Sequence, residues 1–190
     1  MANRLKIGDL SIDYFVDYRN IKHPRLEFKT GNLLIVLPKD CKENGLIEKH
    51  KEWIRKRELQ ILGALRESET KELADRNIDD LKQLARQYVT TLSNELKASL
   101  NNVYFRTMKT KWASCSSRKN LTINSLLKYL PDEYVQYVVY HELVHLKERK
   151  HSKRFWSLVN KKFESYQKKE KDLFVYWFLV QKYLNKENVD

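Results

Sequence analysis

The sequence predicts an α+β protein in which a small antiparallel sheet packs against helices and one buried helix carries a His-Glu-x-x-His motif. Three observations predict this. Strand-like runs cluster in the first forty residues, and a second short set follows residue 103. Apolar stripes at helical spacing fill the interval between them. Tyr140-His141-Glu142-Leu143-Val144-His145 then sets two histidines one turn apart, with His151 shortly after.

Taken in order, Leu10, Ile12, Tyr14 and Val16 alternate with Ser11, Asp13, Phe15 and Asp17, the period of a half-buried strand. Residues 25–30 and 33–37 flank Gly31-Asn32 as a hairpin stopped by Pro38. An uneven amphipathic helix is expected from about Glu43 to Leu62, and the charged stretch from Leu65 to Ile78 reads as loop, lid or helix continuation. From Asp79 to about Leu100, Leu81, Leu84, Ala85, Tyr88, Leu92 and Leu96 trace one apolar stripe, with Asp79 or Asp80 as its cap. Two strands joined by a polar turn are expected between Val103 and Asn124, with Trp112 anchoring one face and a strand edge free to pair with an extended peptide.

Pro131-Asp132-Glu133 opens the next helix, since proline suits a helix start and acids suit the positive end of its dipole. Apolar residues at 138, 139, 143 and 144 bury it and predict a dry site. A helix ending near 148, a short turn, and Ser152 capping a helix that carries Phe155, Trp156 and Val159 would fold His151 back toward His141 and His145. Asp172 to Leu184 is apolar on too many sides for an isolated helix and is expected to pack on the domain. The organisation expected is a single domain over 1–190: N-terminal strands to about 40, helices over 43–100, an edge hairpin and metal-binding helices over 103–165, and a C-terminal helix over 172–184.

The histidine pattern points to a zinc hydrolase, and most directly to a peptidase. His141, His145 and His151 are the candidate metal ligands, and three protein ligands leave a fourth position open for water or substrate. Glu142 is the candidate catalytic base, taking the proton of the attacking water and returning it to the leaving amine. Tyr140, Tyr166, Arg106 and Arg118 are candidates for stabilising the oxyanion. The competing reading makes His141 and His145 packed core histidines hydrogen-bonded to tyrosines, with Glu142 paired to a lysine.

Composition narrows the rest. The chain has 190 residues, 42% of them hydrophobic, and no apolar run of the length a membrane span requires. Its four glycines, at 8, 31, 45 and 63, form no phosphate loop. Its start lacks an apolar leader segment, and its two cysteines, Cys41 and Cys115, fit buried small residues in a reducing compartment, so a cytoplasmic location is expected. The net charge is +12, and residues 146–171 hold ten basic and three acidic side chains. That region is either a solvated lysine-rich face or a footprint for nucleic acid, the alternative partner beside a peptide or protein substrate. A metal-stabilised binding module without turnover is the remaining alternative.

Lys109-Thr110-Lys111-Trp112-Ala113-Ser114-Cys115-Ser116-Ser117, Asn120 to Asn124, Tyr137 to His145 and His151-Ser152-Lys153-Arg154-Phe155-Trp156 together resemble the YgjP-like zinc metallopeptidase domain, related to SprT-like and WLM proteases. The resemblance spans roughly residues 10 to 165. It implies a zincin-like fold, zinc on His141, His145 and His151, and Glu142 as base. Ala113 departs from the glycine usual before Ser-Cys. The His145 to His151 spacing equals that of metzincins, but Glu148 replaces their turn glycine and no methionine follows position 108, which disfavours that membership.

Overall fold

Alternating β-branched and aromatic residues build the first strands of the computed structural model, which describes residues 3–29 and 31–187. Met1, Ala2, residues 188–190 and Thr30, the last residue of one expected strand, lie outside the described residues. Where one domain is expected, the chain divides into two compact units, Met1–Thr70 and Lys71–Asp190.

In the first unit, β1 (Asn3–Ile7) turns through Gly8, at φ 56°, into β2 (Leu10–Tyr18). β3 (Arg25–Lys29) and β4 (Asn32–Leu37) form the expected antiparallel hairpin. The sheet order is β1-β2-β4-β3, and β2 pairs with β4 in parallel. The expected purely antiparallel sheet is therefore mixed: the link after β2 carries the chain past its neighbour position, so β3 takes the edge and β4 the centre. β4 earns that place by composition, with Leu33, Ile35, Val36 and Leu37 all buried. The expected helix from Glu43 breaks at His50 into α1 (Asn44–Lys49) and α2 (Lys51–Ser68). Ile47 of α1 and Ile54 of α2 close a core with Ile7, Ile12, Tyr14, Leu33, Ile35 and Leu37.

The second unit begins with 71–77, which has no regular structure but is firmly tied. Lys71 pairs with Asp172 at 2.8 Å, the Ala74 N–H donates to the Tyr129 carbonyl at 2.8 Å, and Arg76 reaches the Leu130 carbonyl and the Asp132 carboxylate. The stretch from Leu65 is thus helix continuation to Ser68 and then an anchored loop. α3 (Ile78–Glu95) is capped by Asn77 rather than by Asp79 or Asp80: the Asn77 Oδ1 accepts from both of their N–H groups at 2.9 Å. Lys97, at φ 49°, ends the helix short of Leu100.

Between 102 and 124 there are three strands instead of two: β5 (Asn102–Arg106), β6 (Ala113–Cys115) and β7 (Asn120–Asn124), in the order β5-β7-β6. β5 runs parallel to β7, and β6 antiparallel to it. The fully buried Asn124 imposes the break at 107–112. Its amide donates to the carbonyls of Met108 and Lys111 at 2.9 and 2.7 Å, and its Oδ1 accepts from the N–H groups of Met108 and Leu126.

α4 (Asp132–Val144) enters at Pro131 as expected and is buried nearly all round, from Tyr134 to Val144. It packs against α3, β6, β7, α5 (Lys153–Lys162) and α6 (Tyr166–Glu187). α6 begins six residues before the expected C-terminal helix and buries Leu173, Tyr176 and Val180 in the same core. The Trp112 indole donates to the Leu173 carbonyl at 3.2 Å and meets the Trp177 ring edge-on. No helix among the described residues is long and apolar enough to cross a membrane. Of the two cysteines, Cys41 is exposed and Cys115 half-buried, so the expectation of buried thiols fails for the first.

Candidate metal centre

His141 and Glu142 lie in the last turn of α4, and His145 caps its end. The helix stops at Val144 rather than near 148, and the Lys147 and Glu148 N–H groups both return to the Val144 carbonyl at 2.9 Å. That tight turn brings the chain back, and the Ser152 hydroxyl accepts from the Phe155 N–H at 3.3 Å to start α5. His151, immediately before this cap, is thereby aimed at α4.

The three imidazoles converge: one ligand atom from each of His141, His145 and His151 can be chosen so that all lie within 4.8 Å of one another. The Nε2 atoms of His141 and His151 are 3.0 Å apart. Two nitrogens bound to one tetrahedral zinc would stand about 3.3 Å apart. Beneath them, the fully buried Phe155 ring contacts all three imidazoles at centroid distances of 4.9, 4.7 and 4.6 Å. Trp156 stacks on His151 at 5.4 Å, and Tyr166 stacks on Trp156 at 4.8 Å.

The partners of the outer ring nitrogens test whether a cation fits. His141 Nδ1 faces the Glu170 Oε1 at 3.4 Å, and His145 Nδ1 faces the Glu148 carbonyl at 3.2 Å. Both partners are acceptors, which favours the tautomer with the proton on Nδ1 and leaves Nε2 to ligate. Converging lone pairs repel unless a cation lies among them, so the donor set fits a metal ion. Burial pushes the His145 pKa down against the pull of the Glu148 carbonyl, and burial with the neighbouring His141 pushes His151 down, which favours in both the neutral form that ligates. The core-histidine alternative loses its partners: the hydroxyls of Tyr134, Tyr137 and Tyr140 donate to Asp172, Glu170 and the Leu158 carbonyl.

The site is less dry than expected. His141 and His145 are half-buried and His151 is exposed, so the cluster opens to solvent on the α5 side. Glu142 is half-buried beside it. Burial raises its carboxyl above the usual range, opposed by the neighbouring His141, the nearby Cys115 backbone N–H and Lys111. The edge strand β6 packs against α4 and brings the Cys115 backbone beside Glu142.

Of the oxyanion candidates, Tyr140 has its hydroxyl committed to Leu158, and Arg106 and Arg118 are exposed on the end of β5 and the β6–β7 turn. Only Tyr166 joins the aromatic stack that reaches His151. Sequence reasoning missed Glu170 and the Cys115 N–H. Glu170 did leave one signal, as the lone acid within Lys168-Lys169-Glu170-Lys171; the backbone donor left none.

Solved structures with partial likeness include the metallopeptidase zymogen of Pyrococcus abyssi abylysin, 28% identical over 42% of this chain and 79% of that one, with a TM-score of 0.38. Another is the metallopeptidase zymogen of Methanocaldococcus jannaschii jannalysin, 26% identical over 52% of this chain and 89% of that one, with a TM-score of 0.41. No curated protein matches. The model of the YgjP-like metallopeptidase domain matches residues 63–175, which include the histidine cluster, Glu142, β6 and Glu170, and the chain belongs to that family.

Proposed function

We propose that the protein is a zinc-dependent peptidase that cleaves peptide bonds with Glu142 as general base and His141, His145 and His151 as zinc ligands. The observation that carries this reading is the convergence of three imidazoles, two of them with acceptors facing their outer nitrogens, beside the Glu142 carboxylate. Three nitrogen donors, with no fourth ligand side chain in the cluster among the described residues, leave room for substrate, and softer metals would call for thiolates. A bound zinc ion would act as a Lewis acid on the scissile carbonyl and lower the pKa of the attacking water.

The chain's own residues do the rest. β6, paired on one side with β7, offers its other edge to an extended peptide and so aligns the scissile bond with Glu142. Glu142, made more basic by burial, takes the water's proton and delivers it to the leaving amine. Tyr166 is the favoured donor to the oxyanion. The exposure of His151 argues against a sealed, purely structural centre. Two unbridged thiols support the cytoplasmic location.

Metal analysis of protein purified without chelator, paired with peptide-library cleavage, tests the reading. Wild type and Glu142→Gln should each carry one zinc, and the variant should lose at least about 100-fold in kcat. Metal-free wild type, or undiminished turnover by the variant, would sink it.

A second reading, action on proteins bound to nucleic acid, is supported by the exposed cations Arg149, Lys150, Lys153 and Arg154 around His151.

A further inference from the structure

Tyr137 and Glu170 form a polar contact that the proposed proton transfers do not use. Tyr137 is fully buried in α4, one turn before His141, and its hydroxyl donates to Glu170 Oε1 at 2.5 Å. Burial and the neighbouring carboxylate push the phenol far up, so it remains a donor. The same Oε1 faces His141 Nδ1 at 3.4 Å, the long end of hydrogen-bonding reach. Glu170 lies in the first turns of α6, one helical turn after Tyr166, whose ring supports Trp156 and through it His151. The start of α6 therefore reaches two of the three imidazoles, one through a carboxylate and one through stacked rings.

We propose that Glu170 is the positioning residue for His141: it accepts the Nδ1 proton, fixes the tautomer that presents Nε2, and is itself held by the Tyr137 hydroxyl. An accepting carboxylate does two things for a ligating imidazole. It orients the ring, and it raises the electron density on the opposite nitrogen, so the metal is held more tightly. The arrangement is divided among the ligands: His145 has a backbone carbonyl as its acceptor and His141 has a side chain, so only the latter can be removed by substitution. Glu170 lies on the Nδ1 side of the ring, away from the Nε2 pair of His141 and His151, which separates it from the ligand set.

The inference rests on the zinc-site reading, and the experiment separates the two. Zinc affinity of the full chain is measured by competition with a chromophoric chelator for wild type, Glu170→Ala, Glu170→Gln and Tyr137→Phe, alongside the visible spectrum of each cobalt-substituted protein. Glu170→Ala should bind zinc about 10- to 100-fold more weakly. Glu170→Gln, which still accepts from Nδ1 without the charge, should fall between Glu170→Ala and wild type, and Tyr137→Phe should show a smaller loss with a shifted cobalt band. Wild-type affinity in both Glu170 variants would overturn the role of Glu170 while leaving the zinc site intact. A change in cobalt coordination number on removing Glu170 would also overturn it, by making Glu170 a ligand. Failure of wild type to bind zinc would instead defeat the underlying reading.

Discussion

Asp172 is 3% exposed, yet it stays charged because two donors meet it: Lys71 Nζ at 2.8 Å and the Tyr134 hydroxyl at 2.8 Å. Burial raises its pKa, but the bonds from Lys71 and Tyr134 and the Lys71 charge outweigh that and hold it below the usual carboxylate value. A depressed folded-state pKa means the native state binds fewer protons than the unfolded chain as pH falls. The stabilisation is therefore present above the unfolded value of about 3.9 and is lost as pH drops through the lower folded value. Asp172→Asn should cost on the order of 2 kcal/mol at neutral pH, with the difference from wild type shrinking below about pH 4. Urea unfolding across that range checks it, and a pH-independent difference would contradict the assignment. Like Glu170, Asp172 works through partners far away in sequence: Lys71 lies 101 positions earlier and Tyr134 lies 38. His141, Glu142 and His145 were legible because one helical turn fixes their spacing, and His151 because a cap residue follows it. No local period links Glu170 to His141, so only the folded packing of α6 on α4 reveals it.

Elements were legible where a single period governed them, and less so where a side chain broke the period. α4 begins directly after Pro131 and α5 directly after Ser152, as their start signals require, and the apolar stripe of α3 runs on the expected face. Periodicity predicts two strands over 103–124 where three form, because nothing in the composition of 107–112 announces that Asn124 captures its backbone. Four hydrogen bonds join Asn124 to Met108, Lys111 and Leu126. They shape the loop that feeds β6, the strand that packs on α4 beside Glu142. Asn124→Ala should therefore destabilise the protein by about 2–4 kcal/mol, since it strands buried carbonyls and N–H groups. It should also lower kcat/KM at temperatures where the variant remains folded. Thermal unfolding and peptide hydrolysis measured on one preparation distinguish these effects. A stability loss with unchanged kcat/KM would detach the loop from substrate handling.

At the scale of the whole molecule, the net charge of +12 is unevenly shared. Residues 71–190 hold 23 basic and 14 acidic side chains, whereas 1–70 hold 14 and 11. Charge along the chain was legible from sequence; which cations are neutralised was not, because ion pairs depend on packing. Within the basic run, Lys162 pairs with Glu95 and Lys169 with Glu133, each at 2.6 Å, and the Lys147 ammonium donates to the Lys97 carbonyl. Arg149, Lys150, Lys153 and Arg154 are exposed on the turn and helix start that surround His151. A polyanion that neutralises such cations releases condensed counterions, so its binding must weaken steeply with salt. If this surface receives nucleic acid, a single-stranded oligonucleotide should bind at low ionic strength with a steep negative slope of log affinity against log salt. Replacing Lys150, Lys153 and Arg154 by alanine should reduce that slope by about 2, because each single-strand phosphate contact contributes about 0.7. Fluorescence anisotropy titrations at several salt concentrations measure both quantities. An unchanged slope would move the contact elsewhere on the chain, and no binding even at the lowest salt would make these residues a solvated face around a peptidase site.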